Sequence, residues 1–221
     1  GSGDGTWGVG TTSWNAGGAT TFADGNAVLL TDTFSTGNPT VTLNTTVLPQ
    51  IVFVNSTNHY TITGSGEIGG ASEVRKLGAG ALTLNVNATH TGGSTLFAGT
   101  LNLKQSGALG DATAPFTIAG GTLDNTSGGP LTTRGHPQTW SGDFAFAGSG
   151  DLNLSNGPVT LAASRTVTIN AGTLTVAGAI SGSGFNLTKA GAGTLALTGG
   201  IGTDAGSITA NAGTLVLNGD N

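Results

Sequence analysis

Aliphatic residues alternate with polar or small residues in short runs along the chain. The clearest runs are Leu82 and Leu84, Leu101 and Leu103, Leu152 and Leu154, Leu174 and Val176, Leu195 and Leu197, and Leu215 and Leu217. A period of two residues predicts β-strands that turn one face towards a core. The intervening residues are predicted to point outward: Thr83, Asn102, Asn153, Thr175, Ala196 and Val216. Helical spacing is hard to find anywhere, so the pattern predicts an all-β fold.

Most of these runs follow a glycine that recurs at a nearly constant interval. The glycines are Gly80, Gly99, Gly121, Gly150, Gly172, Gly193 and Gly213, with successive differences of 19, 22, 29, 22, 21 and 20 residues. A period of about 20 to 22 residues is typical of solenoids. The longer step includes residues 129–148, and the simple interpretation is an inserted loop near those residues.

A larger duplication overlies the short repeat. A K-x-G-A-G-x-L-x-L phrase begins at Lys76 and again at Lys189, and each copy is followed by an A-G-T-L-x-L phrase. The glycine of the second phrase is Gly99 in one copy and Gly213 in the other. The distance along the chain from the lysine to this glycine is 23 residues in the first copy and 24 in the second. The recurrence indicates that the phrase encodes a corner followed by an inward-facing strand.

A unit of this size holds two or three short strands and cannot bury its own apolar face. Stacking successive units as coils spaced about 4.8 Å apart buries that face in a continuous interior. The sequence therefore predicts one parallel β-helix (β-solenoid) domain of roughly ten coils over residues 1–221, with less regular coils in 1–60 and clear repeats in 61–221. Trp7 and Trp14 are expected to cover one end of the interior, the alternative being a platform on which sugars stack.

Composition narrows the function classes. The chain has 41 Gly, 8% charged residues, no Cys and a formal net charge of −5. Acidity opposes binding to a phosphate backbone, so nucleic acid is not an expected partner. The lack of Cys excludes disulfides and thiolate metal sites. No apolar run approaches the length of a membrane span, so no membrane insertion is expected. The chain begins at Gly1, which we interpret as a processed or excised segment of an exported protein.

Several phrases carry a family resemblance: "LTKAGAGTLALTGG", "VRKLGAGALTL", "FAGTLNL", "NAGTLVLNGDN" and the "GTW…W…ADGNAV" opening. They resemble the autotransporter passenger-associated β-strand repeat of large bacterial surface and secreted proteins, best over residues 71–125 and 165–221. The resemblance implies a right-handed parallel β-helix on the cell exterior, generally a stalk or adhesive scaffold. It implies no catalytic residue.

Few residues suggest chemistry. A polysaccharide lyase on a β-helix would need acids and a base on one face, for which Asp124, Asp143, Asp151 and Arg134 are the nearest candidates. The two G-x-G-x-x-G matches, residues 3–8 and 64–69, lack a following helix and are interpreted as glycine turns. The histidines, His59, His90 and His136, lack metal-ligand spacing. The stretch 148–152 is like half of a calcium-binding repeat without the tandem copies that complete one.

The sequence thus predicts a non-catalytic extracellular structural protein of the bacterial cell surface, without catalytic residues, metal or cofactor. It would serve as a stalk, an adhesive scaffold or a head-to-tail filament subunit. Expected partners are further copies bound end to end through the open solenoid ends, and surface glycans. The alternative is a polysaccharide-binding or polysaccharide-cleaving β-helix protein.

Overall fold

Short parallel strands joined by turns make up the protein. The computed structural model describes residues 6–9, 22–33, 37–202 and 204–218, and no helix occurs among them. The strands form three parallel sheets of ten, eight and five members. The fold is an all-β parallel solenoid of about eight turns, which confirms the predicted class.

The strands of each sheet follow one another in chain order, one per turn. Sheet 1 contains β1 (Thr6–Trp7), β3 (Thr40–Leu43), β5 (Tyr60–Gly64), β7 (Ala81–Asn85), β9 (Thr100–Leu103), β11 (Thr122–Asn125), β14 (Phe144–Phe146), β17 (Arg165–Ile169), β20 (Leu187–Ala190) and β22 (Ile208–Ala210). Sheet 2 contains β2 (Ala27–Thr31), β4 (Ile51–Asn55), β6 (Glu73–Leu77), β8 (Ser94–Leu96), β10 (Phe116–Ile118), β13 (Gln138–Trp140), β16 (Val159–Leu161) and β19 (Ile180–Ser181). Sheet 3 contains β12 (Leu131–Thr132), β15 (Leu152–Asn153), β18 (Thr173–Val176), β21 (Thr194–Leu197) and β23 (Thr214–Leu217).

Each turn passes through sheet 2, then sheet 1, and then a third side. Loops form the third side of the first four turns, and sheet 3 forms it from β12 onward. Beyond the β1–β3 pair, residues paired between adjacent turns lie from 19 positions apart (Ala81 and Thr100) to 24 positions apart (Ala27 and Ile51). The count of about eight turns is lower than the roughly ten predicted, because the first pair of strands joins Thr6 to Thr42, 36 positions apart, where later turns use 19 to 24 residues.

The longer step in the glycine repeat has a different origin from the inserted loop that its length suggested. Residues 129–148 include three strands, and their neighbours are in ordinary register, with Leu131 paired to Leu152 and Gln138 to Val159. The repeated phrase changes side instead. The runs after Gly80, Gly99 and Gly121 lie in sheet 1, whereas those after Gly150, Gly172, Gly193 and Gly213 lie in sheet 3.

The core is a set of columns of aliphatic residues. Leu82, Leu101 and Leu123 stack in sheet 1, each fully or almost fully buried, and Leu152, Leu174 and Leu195 stack in sheet 3. Five of the six residues predicted to point outward are partly exposed, but Ala196 is only 8% exposed. Its methyl group lies in the ladder between the larger Thr175 and Val216, which accounts for its low exposure.

Candidate functional site

Two lysines are buried inside the coil, each at a corner between two sides. Lys76 is 1% exposed and Lys189 is 0% exposed. The Lys76 Nζ donates to the carbonyl oxygens of Leu77, Gly78 and Ala98 at 2.5, 2.8 and 3.0 Å. The Lys189 Nζ makes the same three bonds at the corner between sheet 1 and sheet 3, at 3.1, 2.6 and 2.8 Å from the carbonyl oxygens of Ala190, Gly191 and Ala212.

These bonds fill the hydrogen-bonding capacity of each amine. Burial lowers the pKa of Lys76 to about 8 and also lowers the pKa of Lys189. The three carbonyl oxygens act in the opposite sense, because only the protonated amine donates three hydrogen bonds. Since one of the three acceptors belongs to the next turn, each lysine fastens a corner to its neighbour and has no donor left for a ligand.

In each copy of the duplication, the glycine of the second phrase leaves room for the amine of the buried lysine. Gly213 has φ of +67°, and a Cβ there would lie 2.5 Å from the carbonyl oxygens of Gly191 and Gly193 and 2.6 Å from the Lys189 Nζ. Gly99 stands in the same relation to Lys76. The 23- and 24-residue spacings in the sequence therefore correspond to a lysine and a glycine that meet one turn apart.

Aspartates fasten successive turns in a similar way. Five of them accept a hydrogen bond from a backbone N–H one turn later: Asp24 from Leu48, Asp32 from Thr57, Asp124 from Ser149, Asp143 from Thr166 and Asp151 from Thr173. Asp32 also accepts from the hydroxyl of Ser56, and these hydrogen bonds hold the pKa of its carboxyl below the ordinary value. A carboxylate bound in this manner acts on backbone geometry rather than on a substrate.

The residues considered for a lyase are engaged in such contacts. Asp124 is 6% exposed and also accepts from the Ser149 hydroxyl at 2.6 Å. Asp143 lies 3.7 Å from the guanidinium of Arg165. The Arg134 Nη1 donates to the carbonyl oxygens of Ala88 and Gly110, both at 2.6 Å. The four candidates thus serve separate backbone sites, and no hydrogen bond or ion pair links any two of them within the described residues.

Two of the three histidines lie inside the third side of the middle turns. His90 is 0% exposed, and its Nε2 lies 3.1 Å from the Ser94 hydroxyl. His136 is 1% exposed, and its Nδ1 lies 3.1 Å from the Ala114 carbonyl oxygen. Burial lowers the pKa of both imidazoles, that of His90 to about 4. Both rings are therefore neutral at pH 7. His59 lies elsewhere, on the exposed surface.

The aromatic residues at the start of the chain belong to the core as far as they are described. Trp7 is fully buried and packs edge to face on Phe22, with ring centroids 5.4 Å apart. A fully buried indole offers no face to a sugar ring. Trp14 and residues 3–5 of the first glycine motif lie outside the described residues.

A polar groove lies at the corner that follows sheet 1 in the first four turns. Its volume is about 270 Å³, and it is lined by Thr46, Gly64, Ser65, Gly66, Glu67, Asn85, Val86, Asn87 and Gln105. Residues 64–67 of the second G-x-G-x-x-G match are part of this lining, and the motif continues from β5 without a helix. The sequence predicts only glycine turns here, and nothing in a local pattern signals that Asn85 and Gln105 lie beside them.

Neither a metal site nor a membrane helix is found in the described part of the chain. No group of three or more His, Cys, Asp or Glu side chains is arranged to hold a metal ion there, and no helix there is long and apolar enough to cross a bilayer. The stretch 148–152 contributes Ser149 and Asp151 to the contacts between turns. No protein-family model, curated protein or solved structure matches the chain.

Proposed function

We propose that the protein is a non-catalytic structural protein of the bacterial cell surface or exterior, a β-solenoid that acts as a stalk, an adhesive scaffold or a filament subunit. One observation carries the proposal. Both buried lysines, Arg134 and the three aspartates considered for a lyase are each bound to the backbone of an adjacent turn. Such contacts stiffen the coil along its axis, which is what a load-bearing rod needs.

The proposed location at the cell surface is supported by the resemblance of the K-x-G-A-G and A-G-T-L phrases to the autotransporter passenger repeat, and by the absence of Cys. In the structure, the lysine of the first phrase hydrogen-bonds to the adjacent turn, an arrangement called the lysine clip here, and the glycine of the second phrase leaves room for the lysine amine. End-to-end association is part of the same proposal, because an unpaired ladder edge of a parallel solenoid accepts another strand.

The alternative is a β-helix protein that binds or cleaves polysaccharide. Cleavage would require Asp124, Asp143 or Asp151 to act on a substrate while it holds the N–H of a following turn. Polysaccharide binding needs no such residue, and the polar groove is the feature that favours it.

Two measurements test the proposed function. The purified chain is incubated with neutral and acidic polysaccharides, and reducing or unsaturated chain ends are assayed. We expect no release of ends, and release that is lost in Asp124→Asn, Asp143→Asn or Asp151→Asn would overturn the proposal. Electron microscopy at rising concentration should show rods, as single particles for a stalk and as fibres for a filament subunit. Round particles at every concentration would contradict both forms.

A further inference from the structure

We propose that the polar groove between β5, β7 and the loop after β9 is a binding site for a neutral sugar. The inference rests on the proposed adhesive scaffold, for which it names the ligand class. The groove runs across three turn-to-turn steps, from Thr46 in one turn through Ser65 and Asn85 to Gln105. At about 4.8 Å per step this distance is about 14 Å, enough for one to three sugar rings.

The floor of the groove is formed by backbone packed directly on the preceding turn. A Cβ on Gly64 would run into the backbone of Leu43, and one on Gly66 would run into the backbone of Thr45. The chain at residues 64–66 therefore packs backbone against backbone on the preceding turn, and it lines the groove between Thr46 and Asn85. A recess lined by peptide groups suits a polar ring.

The wall of the groove is a preorganised row of amides. The Gln105 Nε2 donates to the Asn85 Oδ1 at 3.2 Å, and the Asn85 Nδ2 donates to the Thr63 hydroxyl at 3.0 Å. The Asn87 Oδ1 accepts from the Gly107 N–H at 3.3 Å. These bonds fix the orientation of each amide, so less side-chain entropy is lost when a ligand binds.

Hydrogen-bonding groups remain available along this wall. Within the described residues, the side-chain Oε1 of Gln105 and the side-chain Nδ2 of Asn87 make no hydrogen bond, and both residues retain exposed surface. Fixed amides present acceptors and donors side by side, the pattern that adjacent sugar hydroxyls require because each hydroxyl both donates and accepts.

The charge of the groove selects against ionic ligands. Glu67 is the only ionisable residue among the described residues that line the groove, and its carboxylate accepts a long hydrogen bond, 3.4 Å, from the Thr46 hydroxyl. No lysine or arginine is among the described residues of the lining, so a uronic acid, sulfate or phosphate group would find no cation there and would meet the Glu67 carboxylate on a chain of net charge −5. A neutral sugar meets no such repulsion, and the Glu67 carboxylate accepts hydrogen bonds from its hydroxyls.

The test is a titration of isotopically labelled protein with named oligosaccharides, followed by NMR. The neutral probes are cellotriose, maltotriose, chitotriose and galactobiose, and the acidic probe is trigalacturonic acid. We expect at least one neutral probe to shift the side-chain NH₂ signals of Asn85, Asn87 and Gln105, with a dissociation constant of about 1 mM. Asn85→Ala and Gln105→Ala should each weaken that binding by about tenfold or more.

Asn102→Ala is the matched control. The Asn102 Nδ2 donates to the Thr83 hydroxyl at 3.1 Å, the same bond that Asn85 makes to Thr63, but Asn102 does not line the groove. It should leave sugar binding unchanged, and equal loss in all three variants would show that the effect is structural. The proposal is overturned if none of the neutral probes shifts these signals at about 20 mM, or if only the acid binds. Either result would leave the rods expected in electron microscopy unchanged, so the two proposals fail separately.

Discussion

Two buried lysines close corners of the coil that the backbone ladders leave open. A corner interrupts the regular ladder, and its carbonyl groups turn inward without an N–H to meet them. At Lys189 one amine satisfies three such oxygens at once, within a site that is closed to solvent. The cost of burying a charge is offset only because all three protons of the amine find acceptors.

Lys189→Met should therefore destabilise the protein by about 2 to 4 kcal/mol, because it retains the bulk of the side chain and leaves buried carbonyl groups unpaired. The measurement is the free energy of unfolding in urea at pH 7. Lys104→Met is the control, since Lys104 is partly exposed and its side chain makes no hydrogen bond among the described residues. A loss below about 0.5 kcal/mol in the Lys189 variant would mean that the clip is dispensable.

The glycine that faces the other lysine gives a second prediction at this scale. Gly99→Ala should destabilise the protein by about 2 kcal/mol or more, because φ is +68° and the added Cβ would lie 2.5 Å from the Lys76 Nζ and closer still to two carbonyl oxygens. Gly129→Ala is matched, since no atom lies within 4 Å of the Cβ it would add. Thermal unfolding of both variants decides the point, and similar midpoints would contradict the steric argument.

Strands are positioned by their columns of aliphatic residues. Leu195 is fully buried in β21 and stacks between Leu174 and Leu215, whereas Thr175 points outward from β18 and is partly exposed. An inward aspartate has no partner in such a column, because its neighbours carry only hydrocarbon.

Leu195→Asp should thus lower the free energy of unfolding by about 4 kcal/mol, whereas Thr175→Asp should change it by less than about 1 kcal/mol. Urea unfolding followed by circular dichroism measures both. Comparable losses in the two variants would contradict the assignment of inward and outward faces. Ala196, although predicted to point outward, is only 8% exposed and would not serve as a control.

The positions of the strands could be predicted from the sequence, but the sheet to which each strand belongs could not. Alternation of Leu with Thr or Asn is a local property, and so is a turn glycine, which is why the all-β solenoid could be predicted. The assignment of a strand to sheet 1 or sheet 3 depends on how many residues each earlier corner uses, a quantity that accumulates along the chain. The inter-turn bonds of Asp124 and Asp151 and the meeting of Asn85 with Gln105 depend on the same accumulated register.

On the scale of the whole molecule, the turns where loops give way to sheet 3 are held by a buried histidine cluster. His90 and His136 lie there with Arg134, whose guanidinium bonds to the Ala88 and Gly110 carbonyl oxygens across two turns. The charge of Arg134 lowers both imidazole pKa values, whereas the carboxyl of Asp111 raises that of His136 only. We therefore expect acid to weaken the middle turns of the solenoid first.

The pH dependence follows from His90, whose pKa falls from 6.5 to about 4 on folding because the ring is buried. The unfolded state binds more protons between these values, so the contribution of His90 to stability is complete above pH 6.5 and declines by about 3 kcal/mol as the pH falls to 4. The carboxyls of Asp32 and Asp111, whose pKa values are lowered, lose their contribution only below about 3.8. Urea midpoints at pH 7 and 4.5 measure the decline.

His90→Gln should flatten this decline, because it removes the group whose protonation opposes folding. His59→Gln is the control, since His59 lies on the exposed surface, and it should keep the slope of the parent protein. Hydrogen exchange at pH 4.5 should show the faster amides in the loops after β7 and β9 and in β12. Uniform acceleration along all the turns would place the acid sensitivity elsewhere.

The shift of the repeated phrase from one side of the coil to the next bears on how such a protein can lengthen. The Lys76 copy leads from sheet 2 into sheet 1, and the Lys189 copy leads from sheet 1 into sheet 3, yet both close their corners with the same bonds. A duplicated gene segment therefore need not contain a whole number of turns to be accommodated. Corners that are interchangeable in this way let an ancestral chain gain or lose a fraction of a turn without losing its interior.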